Sequence, residues 1–61
     1  MNHVREFRNS LGLSQLELAK KTGVSRQTIN MIENNKYNPT LELCINLALA
    51  LKTDLNTLFL E

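Results

Sequence analysis

The sequence has one cysteine among its 61 residues and no apolar run close to the roughly 20 residues that span a membrane. One cysteine cannot form an internal disulfide, and the sequence has no cluster of cysteine and histidine that would predict a zinc site. The start, M-N-H-V-R-E-F-R, has basic residues but lacks the apolar region of a secretory signal. These absences predict a cytoplasmic protein with no membrane segment and no metal.

The patterns typical of an enzyme are also missing. We find no phosphate-binding loop, and no plausible nucleophile is accompanied by a base. A chain of 61 residues has too little volume to enclose a substrate cleft. We therefore expect no catalytic residue, no cofactor and no small-molecule ligand.

The net charge is only +1 and the pI is near 7.9, so the overall balance gives weak support for nucleic-acid binding. The distribution of charge is more informative. Four cations, Lys20, Lys21, Arg26 and Lys36, lie close in sequence with the single anion Glu33, whereas Glu42, Asp54 and Glu61 lie in the C-terminal third. A chain with so few side chains to neutralise phosphates would bind DNA weakly by itself, which favours a dimer.

Length and apolar content predict a single domain over residues 1–61. Apolar residues make up 43% of the chain, which is enough for one modest core without disulfides. No residues remain for a second module.

The segment from Ser14 to Gly23 is typical of a short amphipathic helix. Ser14 can accept a hydrogen bond from the free amides at the start of the helix, and Glu17 completes a capping box. Gly23 can adopt the left-handed conformation that ends a helix. The inward face is expected to contain Leu16, Leu18 and Ala19, and the small Ala19 allows another helix to approach closely.

A second short helix follows after only three or four residues. Val24 is an apolar anchor in the turn, and Ser25 is the expected N-cap. Ile29 and Ile32 are predicted to face the core. The outer surface then carries Arg26, Gln27, Thr28, Asn30 and Met31. Two short helices joined by a tight turn, with polar groups on the second, indicate a helix-turn-helix.

The flanking segments are predicted to be a helical scaffold. A first helix is expected from about Asn2 to Ser10, with Val4, Phe7, Arg8 and Leu11 on one stripe and a turn at Gly12. A loop covers residues 34–39, and Thr40 can cap a helix from Leu41 to Leu51. The core stripe of that helix is expected to be Leu41, Cys44, Leu47, Ala48 and Leu51, and Leu43, Ile45, Leu49 and Ala50 make it apolar on more than one side.

A last short helix is expected after a cap at Thr53 or Asp54. A C-terminus as apolar as this one is costly to expose to water. We therefore predict a dimer surface that includes Leu49, Leu55, Leu58, Phe59 and Leu60.

Residues 14–33 resemble the helix-turn-helix of the phage repressor and Cro family. Gln15, Ala19, Gly23, Val24, Ile29 and Ile32 fall on motif positions of that family, and E-N-N-K-Y-N-P-T continues its usual loop. Residues 41–59 resemble its fourth and fifth helices. The resemblance implies an all-α, five-helix, repressor-like DNA-binding domain with the helix-turn-helix at helices 2 and 3.

The resemblance also implies which residues contact DNA. Gln27 can bond adenine N6 and N7 together, and Arg26 can contact guanine or a phosphate. Met31 could lie against a thymine methyl, while Thr28 and Asn30 could reach a base or a phosphate. Gln15 matches the family residue that contacts a backbone phosphate, assisted by helix amides. Lys36, Tyr37 and Asn38 are expected to border the DNA backbone or the minor groove.

Other candidates have structural interpretations. Lys20 and Lys21 lie in the last turn of their helix, where cations complement the helix dipole. Glu33 is expected to form a salt bridge or a loop bond inside the domain, because a carboxylate that faced phosphate would be repelled. Cys44 is expected to be a small buried apolar residue and His3 an exposed one.

Three positions depart from the family pattern. Lys52 stands where many relatives have glycine, so the turn before the last helix could be formed differently. Leu49 replaces a residue that is more often charged, and an exposed Leu49 would add to a dimer interface or to contact with another protein. Asn35 replaces a common glycine, but asparagine tolerates left-handed angles, so we expect the loop to be intact.

Together these observations predict a homodimeric regulator, and a repressor in particular, that binds a near-palindromic double-stranded DNA operator in a sequence-specific way. An antitoxin or a prophage control element is a related alternative. A protein-interaction adaptor that has lost DNA reading is an alternative of another class, with apolar surfaces at Leu43, Leu49 and residues 55–60 serving a partner.

Overall fold

The computed structural model describes residues 2–60, and within them it contains five helices and no strand. This confirms the predicted all-α, five-helix fold. The helices are α1 (Val4–Ser10), α2 (Gln15–Thr22), α3 (Arg26–Glu33), α4 (Leu41–Ala50) and a C-terminal π-helical segment, Asn56–Leu60. None of the helices in this range is long and apolar enough to cross a bilayer.

Side-chain caps fix where the middle helices begin. The Ser14 hydroxyl accepts from the Glu17 amide at 3.0 Å, and the Glu17 carboxylate accepts from the Ser14 amide at 2.8 Å, which confirms the capping box. Ser25 accepts from the Thr28 amide at 3.1 Å, and Thr40 caps α4 in the same way. The first helix begins later than predicted, at Val4, where Asn2 accepts the backbone amide through its side chain at 3.0 Å.

The turns depend on left-handed residues. Gly23 ends α2 at φ +74°, as the sequence predicted. Asn35 has φ +58°, so the loop after α3 keeps its left-handed residue without glycine. Lys52 also has φ +58°, and the turn after α4 therefore keeps a conformation that glycine would adopt without strain.

The core is a single cluster at the centre of the helices. Its buried apolar members are Val4, Leu18, Ala19, Ile29, Ile32, Leu43, Leu47, Ala48, Leu51 and Leu58. Four residues predicted to pack inward do not: Leu11 is 41% exposed, Leu16 is 49% exposed, Leu41 is 69% exposed, and Cys44 is only partly buried. Leu16 lies about 200° around α2 from Leu18, so the two side chains cannot share the inward face.

Leu58 was wrongly predicted to be on a dimer surface. Its side chain is completely buried within one copy, and its carbonyl accepts from the His3 amide at 2.9 Å. The C-terminal segment is therefore packed against the start of the chain, with Asp54 capping it through the Thr57 amide at 2.7 Å. Leu55 and Phe59 pack partly against the core, whereas Leu49 and Leu60 are exposed.

A buried carboxylate joins the first three helices. The Glu33 side chain, at the end of α3, is inaccessible to solvent. It accepts from Arg8 Nε at 2.6 Å, from Arg5 Nε at 3.2 Å and from Gln15 Nε2 at 3.1 Å. Arg8 also donates to the Leu13 carbonyl at 2.8 Å. The predicted structural role of Glu33 is confirmed, and its partners come from α1 and from the first turn of α2.

These contacts keep Glu33 ionised. Burial alone would raise its pKa, but hydrogen bonds from Arg8, Gln15 and Arg5, together with the charge of Arg8, lower the pKa below the usual value of 4.5. Because the folded-state pKa is lower than the unfolded-state value, this carboxylate contributes stability above about pH 4.5 that is lost as the pH falls through the folded-state pKa.

We expect Glu33→Gln to lower the free energy of unfolding at pH 7 by about 3 kcal/mol, because Arg8 would be left without its buried partner. The loss of stability between pH 5 and pH 3 should be shallower in this variant than in the wild type, and denaturant unfolding across that range measures both effects. Glu6→Gln, which removes an exposed carboxylate, is the control and should cost less than about 1 kcal/mol. Equal unfolding midpoints for wild type and Glu33→Gln would contradict the assigned role.

We expect Lys52→Gly to raise the free energy of unfolding by about 0.5–1 kcal/mol. Relief of the left-handed strain should exceed the entropy that glycine adds to the unfolded chain. Gly23→Ala provides the opposite test, because its φ is +74° and nothing lies within 4 Å of the added carbon. That variant should be destabilised through backbone conformation alone. Thermal unfolding should therefore show a raised midpoint for Lys52→Gly and a lowered midpoint for Gly23→Ala.

Candidate nucleic-acid interface

Helix α3 has one buried face and one polar face. Ile29, Ile32 and Glu33 are buried and point toward the core. At about 100° per residue, Gln27 and Met31 lie on the opposite side of the helix. The helix is thus anchored along one side by apolar contacts and by the Glu33 carboxylate, and it presents the other side outward.

The first turn of α3 carries the two strongest candidates for base contact. Arg26 and Gln27 are exposed, and neither side chain has a hydrogen-bond partner within residues 2–60. Ser25 holds this end of the helix through its cap, so both side chains project from a fixed backbone. A guanidinium and a primary amide placed in this way are free to form bidentate hydrogen bonds with base edges.

The other predicted positions on α3 differ from one another. Asn30 is exposed, and its backbone carbonyl accepts from the Asn34 side-chain amide at 2.8 Å and from the Asn34 backbone amide at 3.1 Å. Thr28 is partly buried, and its hydroxyl lies 2.9 Å from the Ser25 hydroxyl, within the cap. Met31 is also partly buried. Of the outer surface predicted from the sequence, Arg26, Gln27 and Asn30 are therefore exposed, and Thr28 and Met31 are partly buried.

Gln15 begins α2 and lies beside the end of α3. It is partly buried, and its amide nitrogen donates to Glu33. That bond uses one of the two amide hydrogens, so the second remains available to an acceptor such as a phosphate oxygen. The structure thus joins Gln15 to the anchored end of α3.

The loop after α3 is fixed to that helix. The Lys36 amide donates to the Met31 carbonyl at 2.8 Å. Lys36, Tyr37 and Asn38 are all exposed. Tyr37 and Asn38 border a concavity of about 300 Å³ that Asn2, Asn35, Pro39 and Phe59 complete. All the predicted loop positions thus lie at the surface next to α3.

The exposed charges of residues 20–36 are all positive. Lys20, Lys21, Arg26 and Lys36 are exposed, whereas Glu33, the anion among them, is buried and hydrogen-bonded to arginines. Because Arg8 and Arg5 offset the charge of the Glu33 carboxylate, it repels phosphate less than an unpaired, exposed carboxylate would.

Sequence reasoning missed the residues that hold α3 from the side of α1. Arg5 donates to Asn34 Oδ1 at 3.1 Å as well as to Glu33, and Asn2 donates to the Ile32 carbonyl at 2.8 Å. The available signal was the i, i+3 spacing of Arg5 and Arg8, which places both on one side of α1. No group of three or more potential metal ligands is present within residues 2–60.

The sequence and the fold are similar to those of known regulatory proteins. An HTH-type transcriptional regulator of Archaeoglobus fulgidus is 46% identical over 57 residues, which cover 93% of this chain and 81% of that protein. The ImmF control region 10 kDa protein of Bacillus phage phi105 is 34% identical over 55 residues, covering 90% of this chain and 61% of that protein. A chain of the solved SinR protein/SinI protein complex superposes with a TM-score of 0.84 at 30% identity, covering 92% of this chain and 55% of that chain.

The helix-turn-helix family profile matches residues 4–58, nearly the whole described chain. Together with the capped α2–turn–α3 unit and the polar outer side of α3, this match confirms the resemblance drawn from the sequence. The chain belongs to the helix-turn-helix family of DNA-binding transcriptional regulators.

Proposed function

We propose that the chain acts as a homodimer that binds a near-palindromic operator, with α3 of each copy inserted into successive major grooves. Half-sites would then lie about 34 Å apart, one helical turn of DNA. The observation that carries this proposal is the polar outer side of α3. There Arg26 and Gln27 are exposed, with no side-chain hydrogen bond to any other residue in the range 2–60, and the helix is fixed at both ends.

Each candidate residue has a proposed role in DNA binding. Gln27 pairs with adenine N6 and N7, Arg26 contacts guanine or a phosphate, and Met31 lies against a thymine methyl. Thr28 and Asn30 contact a base or a phosphate. Gln15 contacts a backbone phosphate with its second amide hydrogen, and Lys36, Tyr37 and Asn38 border the backbone or the minor groove.

The dimer and the regulatory outcome follow from size and charge. One copy offers few cations to neutralise phosphates, so two copies binding one operator would reach useful affinity. Occupation of DNA in the cytoplasm would repress transcription by blocking polymerase. The similarity to a phage control-region protein supports a prophage control element as the specific biological setting.

We expect selection from a random duplex pool to enrich a two-fold symmetric site with the wild-type protein. Gln27→Ala should bind that site about 1–3 kcal/mol more weakly and should relax the preference at one position in each half-site. Lys36→Ala is a contrast, because loss of a phosphate contact should weaken all sequences alike. Asn9→Ala, an exposed change on α1, should leave binding unchanged.

Two results would contradict the proposal. One is the absence of any enriched sequence at low salt, which would favour a protein-interaction adaptor. The other is enrichment of the same site with the same affinity by wild type and by Gln27→Ala, which would mean that a different surface recognises the bases.

A further inference from the structure

Helix α4 carries an apolar row on its outer side that no other part of the described chain covers. Leu41, Ile45 and Leu49 are 69%, 42% and 72% exposed. Their i, i+4, i+8 spacing makes them one ridge about 12 Å long on the helix surface. The ridge is symmetric about Ile45, with one leucine at each end.

An apolar cleft opens at the Leu41 end of this ridge. It has a volume of about 220 Å³ and is lined by Leu41, Cys44, Leu55, Phe59 and Leu60. Apolar cavities of about 150 Å³ are large enough to bind benzene, so this cleft can admit a leucine side chain. Leu60, at its rim, is 78% exposed.

The two ends of the ridge also differ in charge. Glu42, next to Leu41, is exposed, whereas Lys21 of α2 borders the surface concavity that contains Leu49. An antiparallel arrangement of two α4 helices would therefore place Lys21 of one copy near Glu42 of the other. Such complementarity favours a second copy of this chain over an unrelated partner.

We propose that two copies pair through antiparallel α4 helices about a two-fold axis at Ile45, with Leu49 of each copy seated in the apolar cleft of the other. The inference rests on the homodimer of the proposed function and adds how its copies meet. Equal i±4 ridges pack with an interaxial angle of about −50°. The contact is isologous and closes at two copies, because both clefts are then filled.

The surface area that a stable dimer must bury explains why the cleft is needed. Stable interfaces bury about 800 Å² on each partner, more than a ridge of three side chains supplies. A register that seats Leu49 in the cleft adds Leu55, Phe59 and Leu60 to the buried surface. In this arrangement Leu49, which replaces a more often charged residue, contributes to the dimer contact.

The test uses charged variants of the full chain at the two ends of the ridge. Leu49→Lys and Leu41→Glu each place a charge in the apolar contact, and each charge suits the dipole at its end of α4, so the helix should remain folded. By sedimentation equilibrium, each variant alone should show a dimer dissociation constant raised by about tenfold or more. An equimolar mixture of the two variants should recover association, because the ammonium group introduced at position 49 of one copy then faces the carboxylate introduced at position 41 of the other.

Leu16→Glu is the matched control, since Leu16 is 49% exposed on α2, outside the ridge, and this variant should dimerise like the wild type. Circular dichroism confirms that each variant is folded. A monomeric wild type, an unchanged dimer of Leu49→Lys, or a mixture that fails to recover association would each overturn the α4 contact. A dimer that follows these expectations but enriches no DNA site would leave the contact established and overturn the DNA proposal instead.

Discussion

The buried Glu33 carboxylate is the interaction on which the arrangement of the first three helices depends. A carboxylate without solvent contact is strongly destabilising unless its charge is paired and its oxygens accept hydrogen bonds. Arg8, Arg5 and Gln15 satisfy it together, and all three come from outside α3. The end of α3 can therefore occupy only the position in which α1 and the start of α2 are also correctly placed.

This constraint separates the two sides of α3. The inner side, with Ile29 and Ile32, contributes to the core, and Glu33 fixes the last turn. On the outer side Arg26 and Gln27 are exposed and their side chains form no hydrogen bond within residues 2–60, so their hydrogen-bonding capacity is available to a ligand. Because the backbone of α3 is already fixed, only the contacting side chains have to become ordered on binding. This favours discrimination between similar DNA sites. Gln15, which bonds the same carboxylate, connects the proposed phosphate contact to this anchor.

Local features of the fold were predictable because they depend on neighbouring residues. The Ser14 and Glu17 capping box, the Ser25 cap and the left-handed Gly23 each follow from a few adjacent positions. Tertiary features were not predictable in the same way. Periodicity showed that α4 is apolar on several sides but could not decide which side meets the core, so Leu41 was assigned to the core although it is exposed. In the equally apolar C-terminal segment, Leu58 was assigned to a dimer surface although it is buried. The sequence also identified an internal role for Glu33 without its partners, because Arg5 and Arg8 reach it from 28 and 25 positions away.

The outer side of α3 is the surface through which we propose that the chain binds DNA. The most direct measurement is an NMR titration of the isotope-labelled chain with the enriched duplex, with side-chain resonances of arginine, glutamine and asparagine recorded beside the backbone amides. We expect the largest changes at Arg26, Gln27 and Asn30, with smaller changes at residues 36–38. Changes confined to α4 and the C-terminal segment, with α3 unaffected, would contradict DNA binding by α3.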